Sequence, residues 1–162
     1  MRRVDIFPTK ILLATDGSTE ASLAEEAAGE LSNGTGSELH VVHVLRTTPE
    51  LPYPRYSAKE RSEALLEWRK LDGLKLLDDR VRRIEDLGGR IAASHYKEGD
   101  PAKEIIRLGE ELDAGLIVMG GRRRPWFERI FGAGFSENVF RRAKRPVLIV
   151  GGHGLRGSTV PR

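Results

Sequence analysis

The sequence predicts an α/β fold, in which short strands alternate with helices and form a mostly parallel sheet covered on both faces. Two observations predict it. Five short apolar runs are separated by segments with the three-to-four-residue periodicity of amphipathic helices. Runs such as VLIV contain no alternating polar residues, which is typical of strands buried on both sides. The chain has 162 residues, enough for one domain with its own core.

The first elements are a strand, a helix and a second strand. KILLAT at 10–15 predicts a buried strand that ends in a turn, and Ser18 or Thr19 can cap the helix that follows. That helix is expected to end near Leu31, because an asparagine and two glycines come next. ELHVVHVL at 38–45 is rich in β-branched residues and predicts the second strand.

A loop and a long helix follow the second strand. The three prolines of 46–57 predict an exposed loop. A helix is expected over about 58–87, where the Gly88-Gly89 pair ends it. Its apolar residues recur every three or four positions and predict one buried stripe: Ala64, Trp68, Leu71, Leu74, Leu77, Val81, Ile84 and Leu87.

The second half of the chain repeats the alternation. Asp100 is positioned to cap a helix whose first residue is Pro101, where a missing N–H costs nothing. The buried face of that helix is predicted to contain Ile105, Ile106, Leu108 and Leu112. The remaining strands are predicted at 90–99, 116–120 and 146–150, with a last helix at about 136–144.

The composition is that of an ordinary globular chain, with 39% hydrophobic and 31% charged residues. It contains no cysteine, which excludes a disulfide framework and a thiolate metal site. No apolar run reaches the roughly 18 residues of a membrane span. The start MRRVDIFPTK lacks the apolar segment of a secretory signal. We therefore expect a cytoplasmic protein that has no membrane partner.

The net charge of +3 is unevenly distributed. Residues 120–146 hold eight basic and two acidic side chains, a net of +6 that leaves −3 for the remainder. Such a segment attracts phosphates or an acidic partner, although a solvated helix face and a charged loop are the commoner explanation. The basic residues are Arg122, Arg123, Arg124, Arg129, Arg141, Arg142, Lys144 and Arg145.

Several catalytic and metal-binding patterns are absent or weak. The chain has no G-x-x-x-x-G-K-[ST] P-loop. His40 and His43 are three apart on a predicted strand, so they point to opposite faces and do not predict a metal pair. Ser18 and Ser136 have no local histidine base, and helix capping explains both better than nucleophilic catalysis. Asp16 alone predicts a turn more readily than a general base or a metal ligand.

Two predicted strand ends carry residues suited to a bound ligand. Thr15-Asp16-Gly17 follows the first strand, and Met119-Gly120-Gly121 ends the fourth. Ligands of such sheets bind beyond the carboxyl ends of the strands, where the strand order reverses. If these two strands are neighbours, Asp16 and Gly120 flank one crevice.

Four blocks of sequence, taken in order, resemble the universal stress protein family: KILLATDGSTEAS, LHVVHVL, EGDPAKEIIRLGEELDAGLIVMGGR and FSENVFRRAKRPVLIVG. The resemblance covers about residues 9–151, with 1–8 as a lead-in and 152–162 as a tail that we expect to be disordered. It implies a single doubly wound, five-stranded parallel sheet in the order 3-2-1-4-5 with helices on both faces. This is a Rossmann-like fold of the adenine nucleotide alpha-hydrolase-like kind.

The resemblance also implies a homodimer paired through the last strand. An apolar strand at the edge of a sheet is an aggregation hazard when it is left unpaired, which supports the same expectation. The candidate interface residues are Pro146, Val147, Leu148, Ile149 and Val150.

The ATP-binding branch of that family carries G-x-x-G, nine residues, then G-[ST], which wraps the ribose and phosphates. When this pattern is aligned with the sequence without gaps, its first glycine matches Gly120, but its second falls on Arg123. The third falls on Ala133 and the hydroxyl residue on Gly134, so all three losses lie on the phosphate side. Asp16 matches the family's aspartate after the first strand.

Glycine lets backbone N–H groups approach phosphates closely, and a bulky Arg123 prevents this unless the loop changes its path. A guanidinium group can instead bind phosphate through two hydrogen bonds. The resemblance therefore implies an altered site, in which ATP binding is doubtful and another anion is an alternative.

Val44 matches the residue beside the adenine in the family pattern. The candidate nucleotide- or anion-binding residues are then Thr15, Asp16, Val44, Met119, Gly120, Arg122, Arg123, Ala133, Gly134 and Phe135. No catalytic residue and no metal ligand is assigned, and the cofactor to consider is ATP or another adenine nucleotide.

Three functions remain open. The leading interpretation is a stress-response binding module that acts through a small anionic ligand or a protein partner. The first alternative is an ATP-binding protein that hydrolyses its ligand slowly. The second is a polyanion or nucleic-acid binder that uses the arginine-rich segment. Trp126, Phe127 and Phe131 could stack bases there, but the near-neutral total charge and the scarcity of aromatics weaken this alternative.

Overall fold

A computed structural model of the chain describes residues 6–47, 59–121 and 135–151. Strands and helices alternate throughout these ranges. The strands are β1 (Lys10–Ala14), β2 (Glu38–Arg46), β3 (Ile91–Gly99), β4 (Leu116–Gly121) and β5 (Val147–Gly151). The helices are α1 (Thr19–Thr35), α2 (Lys59–Asp86), α3 (Pro101–Glu111) and α4 (Phe135–Arg142). Most of the predicted loop at 46–57 and the whole predicted tail lie outside the described residues.

The five strands form one parallel sheet in the order β3-β2-β1-β4-β5. Strand β1 is central, and its last residue, Ala14, lies between Val42 of β2 and Met119 of β4. The chain therefore winds outward in both directions from β1, and the strand order reverses between β1 and β4. The predicted fold class and strand order are confirmed.

The sheet separates two apolar layers. On one face Ile11, Leu13 and Val41 pack with residues of α1 and α2. On the other face Leu12 and Val42 pack with α3 and α4. The alternation of neighbouring residues between these layers explains why the central strands β1 and β4 are almost entirely apolar.

The helix starts follow the predicted caps. The hydroxyl oxygen of Ser18 accepts a hydrogen bond from the Ala21 N–H at 3.1 Å. Asp100 accepts one from the Lys103 N–H at 2.9 Å, and Pro101 is the first residue of α3. Each cap satisfies a backbone donor that the helix itself leaves without a partner. None of the described helices combines the length and the apolarity that crossing a membrane requires.

The predicted end of α1 near Leu31 is wrong. The helix continues to Thr35, and Gly36 ends it in the left-handed conformation with its N–H bonded to the Ser32 carbonyl. Asn33 and Gly34 therefore lie inside the last turn, where the Asn33 amide donates to the Gly88 carbonyl at 2.9 Å. Because Gly36 closes the helix in the left-handed conformation, α1 extends about one turn beyond Leu31, past Asn33 and Gly34.

The predicted apolar stripe of α2 is only partly correct. Leu77 and Ile84 are buried against the sheet, but five apolar side chains between positions 64 and 74 and one just after the helix are exposed. Each three-residue step falls about 60° short of a full turn, so residues repeated at that spacing wind around onto the solvent side. The exposed residues are Leu65, Trp68, Leu71, Leu74 and Leu87, and Ala64 is exposed with them.

Candidate functional site

The carboxyl ends of β1 and β4 meet at the point where the strand order reverses. Ala14 pairs with Met119, so Thr15 and Asp16 leave the sheet beside Gly120. The predicted condition that the two strands are neighbours is thus met. This edge is where parallel α/β sheets bind their ligands.

Thr15 is buried, and each of its polar atoms has a partner. Its N–H donates to the Val42 carbonyl at 3.0 Å, and its carbonyl accepts from Nδ1 of His43 at 2.9 Å. Its hydroxyl donates to Oε1 of Glu25 at 2.7 Å and accepts from the Gly17 N–H at 3.3 Å. Because a carboxylate only accepts and an N–H only donates, the direction of both hydroxyl bonds is fixed.

Glu25 links this strand end to helix α2. Its side chain is fully buried, and its second oxygen, Oε2, accepts from Arg83 at 2.8 Å. Arg80 lies at 3.8 Å from the same oxygen. The other arm of the Arg83 guanidinium bonds Glu26 at 2.8 Å. A buried carboxylate needs such partners, because burying an uncompensated charge is costly.

Asp16 and Gly17 form the turn between β1 and α1. Oδ1 of Asp16 accepts from the Ser18 N–H at 2.9 Å, and the residue is exposed just beyond the carboxyl end of β1. Gly17 has a φ of 76°, a conformation that other residues rarely adopt, and a Cβ there would lie 3.0 Å from Cδ1 of Leu76. The turn is therefore held between the strand and α2.

Gly120 and Gly121 have packing reasons to be glycine. A Cβ on Gly120 would lie 2.6 Å from the carbonyl carbon of Glu20 and 2.7 Å from the backbone nitrogen of Ala21. A Cβ on Gly121 would lie 2.6 Å from Cγ2 of Ile149. The sequence pattern suggested that these glycines make room for a ligand. The structure adds that Gly120, at the end of β4, rests directly on the first turn of α1.

The other candidate residues divide into three groups. Met119 is fully buried, and Val44 is half-buried near the end of β2, packed against the same layer. Phe135 begins α4. Arg122, Arg123, Ala133 and Gly134 lie outside the described residues.

The candidate interface residues lie along the outer edge of the sheet. Pro146 precedes β5, and its carbonyl accepts from the Ile117 N–H at 2.9 Å. Leu148 and Ile149 are 37% and 38% exposed, which is unusual for large aliphatic side chains in a strand. Val147 and Val150 are half-buried.

Two histidines form a separate polar pair on β2 and β3. Nδ1 of His40 lies 3.1 Å from Nε2 of His95, and Nε2 of His40 lies 3.4 Å from Glu38. Burial and the nearby charges of His40 and Lys97 lower the pKa of His95. His40 lies level with Leu12 in the sheet, well before the carboxyl edge, so the pair does not belong to the crevice. In the part of the chain that the structure describes, no three His, Asp or Glu side chains are grouped to hold a metal ion.

Sequence reasoning missed Glu25, Arg83 and His43 as neighbours of the crevice. The burial of Glu25 was predictable, because the residue follows Ala21 by one helical turn and lies on the same buried face. A charged residue in an apolar stripe indicates a buried partner. The sequence could not identify that partner, because Arg83 is 58 positions away.

The model of the universal stress protein family matches residues 8–151. The chain belongs to this family. Universal stress protein MJ0531 of Methanocaldococcus jannaschii is 30% identical over 141 residues, covering 87% of this chain and 81% of the relative. Universal stress protein YxiE of Bacillus subtilis is 31% identical over 145 residues, covering 87% and 97%.

Solved structures of universal stress proteins share the fold. A family member from Burkholderia pseudomallei is 29% identical with a TM-score of 0.66, covering 91% of this chain and 98% of that one. A universal stress protein in complex with cAMP has a TM-score of 0.64, covering 90% and 98%. One from Archaeoglobus fulgidus in complex with dAMP has a TM-score of 0.56, covering 90% and 99%. The last two are each 22% identical to this chain.

Proposed function

We propose that this universal stress protein is a homodimeric binding module without rapid catalysis, whose crevice takes an adenine mononucleotide in preference to ATP. The observation that carries the proposal is the meeting of the Thr15-Asp16-Gly17 turn with Gly120 at the reversal of strand order. In a sheet of this kind that position is the expected ligand site.

The adenosine side of the crevice keeps the residues that the family pattern uses. Asp16 is exposed at its mouth, and a carboxylate accepts hydrogen bonds from ribose hydroxyls or from an exocyclic amine. Val44 adds an apolar surface at the end of the neighbouring strand. These groups suit a nucleoside without specifying how many phosphates it carries.

The phosphate side of the pattern is where the sequence departs from the ATP-binding branch. Arg123, Ala133 and Gly134 replace two glycines and a hydroxyl residue. Losing the close approach of backbone N–H groups and one hydroxyl donor weakens the hold on a chain of three phosphates more than on one. A single phosphate can be bound by one guanidinium group instead. The cAMP and dAMP bound to the two structural relatives guide the choice of test ligands.

The geometry of β5 supports the homodimer. Val147 pairs with Ile117, whose N–H donates to the carbonyl of Pro146. In a parallel ladder this leaves the N–H and C=O of Val147 directed away from β4, toward the open edge. A second β5 strand could pair with these groups and cover Leu148 and Ile149.

Calorimetric titration with AMP, cAMP and ATP tests the ligand. We expect a monophosphate to bind at least about tenfold more tightly than ATP. Asp16→Asn should weaken that binding, because it removes the charge but keeps an oxygen for the Ser18 N–H. Asp79→Asn, an exposed change on α2, is the matched control and should bind as the wild type does. The proposal fails if no adenine nucleotide binds or if ATP binds most tightly.

A further inference from the structure

We infer that Glu25 is a positioning residue for the ligand edge: through the hydroxyl of Thr15 it holds the Asp16-Gly17 turn in place. Its role in ligand binding rests on the proposed function, whereas its role in holding the turn does not. The inference starts from the unusual position of Glu25, whose charge is fully buried on a helix face otherwise lined by small residues.

A buried carboxylate at this position is not needed to fill space or to gain stability. The neighbours of Glu25 on the buried face of α1 are Ala21, Ala24 and Ala28, which pack there without polar partners. Replacing a buried ion pair with apolar residues is often neutral or stabilising. The hydrogen bonds of Glu25 to Thr15 and Arg83 therefore need another explanation, and Thr15 is the partner that lies at the end of β1.

Thr15 transmits the position of Glu25 to the turn. Its hydroxyl donates to Glu25 at 2.7 Å and can therefore present a lone pair to the Gly17 N–H at 3.3 Å. If the carboxylate is lost, the hydroxyl proton has no fixed acceptor and the hydroxyl can rotate away from Gly17. Since Asp16 lies between these two residues, its exposed carboxylate moves with them.

Helix α2 holds the network from the other side. Arg83 bonds Glu25 at 2.8 Å, and Arg80 donates to the hydroxyl of Ser22 at 3.3 Å. Leu76 lies against the Cα of Gly17, where an added Cβ would be 3.0 Å away. Helix α2 thus holds the turn in two ways: its arginines form hydrogen bonds, and Leu76 packs against Gly17. A shift of α2 would reach Asp16 through Glu25.

Glu25→Gln tests the inference at nearly constant side-chain size. Thr15 and Arg83 bond different oxygens of Glu25, and glutamine replaces one of these two acceptors with an NH2 donor, so one of the two partners loses its acceptor. We expect the amide resonances of Asp16, Gly17 and Ser18 to shift and the Gly17 amide to exchange faster with solvent. We expect AMP affinity to fall about tenfold, the loss equivalent to one hydrogen bond to a charged group.

Two further variants separate positioning from a general loss of stability. Thr15→Val removes the hydroxyl but keeps Glu25 paired with Arg83, and it should reproduce both changes. Thr15→Ser keeps the hydroxyl that bonds Glu25 and should shift the turn amides less than Thr15→Val does. Asp78→Asn breaks only the exposed pair with Arg82 on the same helix, and it should leave the turn amides and AMP affinity unchanged. Thr15→Val also keeps the test available if Glu25→Gln does not fold.

The outcomes distinguish this inference from the proposed function. If the turn amides of both Glu25→Gln and Thr15→Val match those of the wild type, Glu25 does not position the turn, whatever binds. If the amides shift but AMP binds the variants as tightly as the wild type, the role in ligand binding is overturned. If the wild type binds no adenine nucleotide, the proposed function fails, and the amide shifts alone decide whether Glu25 positions the turn.

Discussion

The two sides of the crevice are built by different physical means. On the β1 side, Thr15 has a partner for each polar atom, and the buried charge of Glu25 anchors the turn to α2. On the β4 side, Gly120 rests directly on the backbone of α1 with no room for a side chain. The residues that follow it depart from the ATP-binding pattern.

Under the proposed function, this difference would let an adenosine end like that of the family be combined with an altered phosphate end. The β1 side depends on hydrogen bonds that tolerate little change, since each lost partner leaves a buried polar group unpaired. On the β4 side, Gly120 makes one tight backbone contact, and the sequence after it departs from the family pattern.

Gly120→Ala should produce the largest effect on stability. The new Cβ would lie 2.6 Å from the carbonyl carbon of Glu20, and neither backbone can move without shifting β4 or α1. We expect the free energy of unfolding to fall by about 3 kcal/mol, as for severe overpacking, measured by urea denaturation. Gly151→Ala is the matched control, because a Cβ there meets nothing within 4 Å. If Gly120→Ala is tolerated as well as Gly151→Ala, packing does not require a glycine at position 120.

Val147→Pro should disrupt the dimer with a smaller cost to the fold. Proline removes the N–H that Val147 directs toward the open edge, and it leaves the bond from Ile117 to the Pro146 carbonyl available. We expect a dimer for the wild type and a folded monomer for the variant in sedimentation at micromolar concentration. A wild-type monomer, or a variant that dimerises as well as the wild type, would contradict pairing through β5.

Most of the fold could be predicted from local patterns. The strands, the Ser18 and Asp100 caps and the proline that opens α3 each depend on residues within one turn of the chain. The errors came where tertiary packing decides the outcome. The exposed half of α2 has helical spacing, but only the position of the sheet determines which of its leucines are buried.

The candidate site was predictable only in part, for the same reason. The turn at Asp16 and the glycine at 120 are visible as strand-end patterns, and the sheet brings them together. The sequence does not show that Glu25 and Arg83 hold the turn at Asp16, because these two residues come from different helices. The packing role of Gly120 was also hidden, since the backbone that it touches belongs to Glu20 and Ala21.

The most direct test of the central claim is calorimetry of AMP and ATP with the wild type and with Arg123→Gly/Ala133→Gly/Gly134→Ser. These substitutions restore the family's phosphate pattern and leave the β1 side unchanged. We predict that the triple variant gains at least about tenfold in ATP affinity and loses AMP affinity, because it lacks the Arg123 guanidinium group proposed to bind the single phosphate. Tight ATP binding by the wild type, or no gain in the triple variant, would contradict the account.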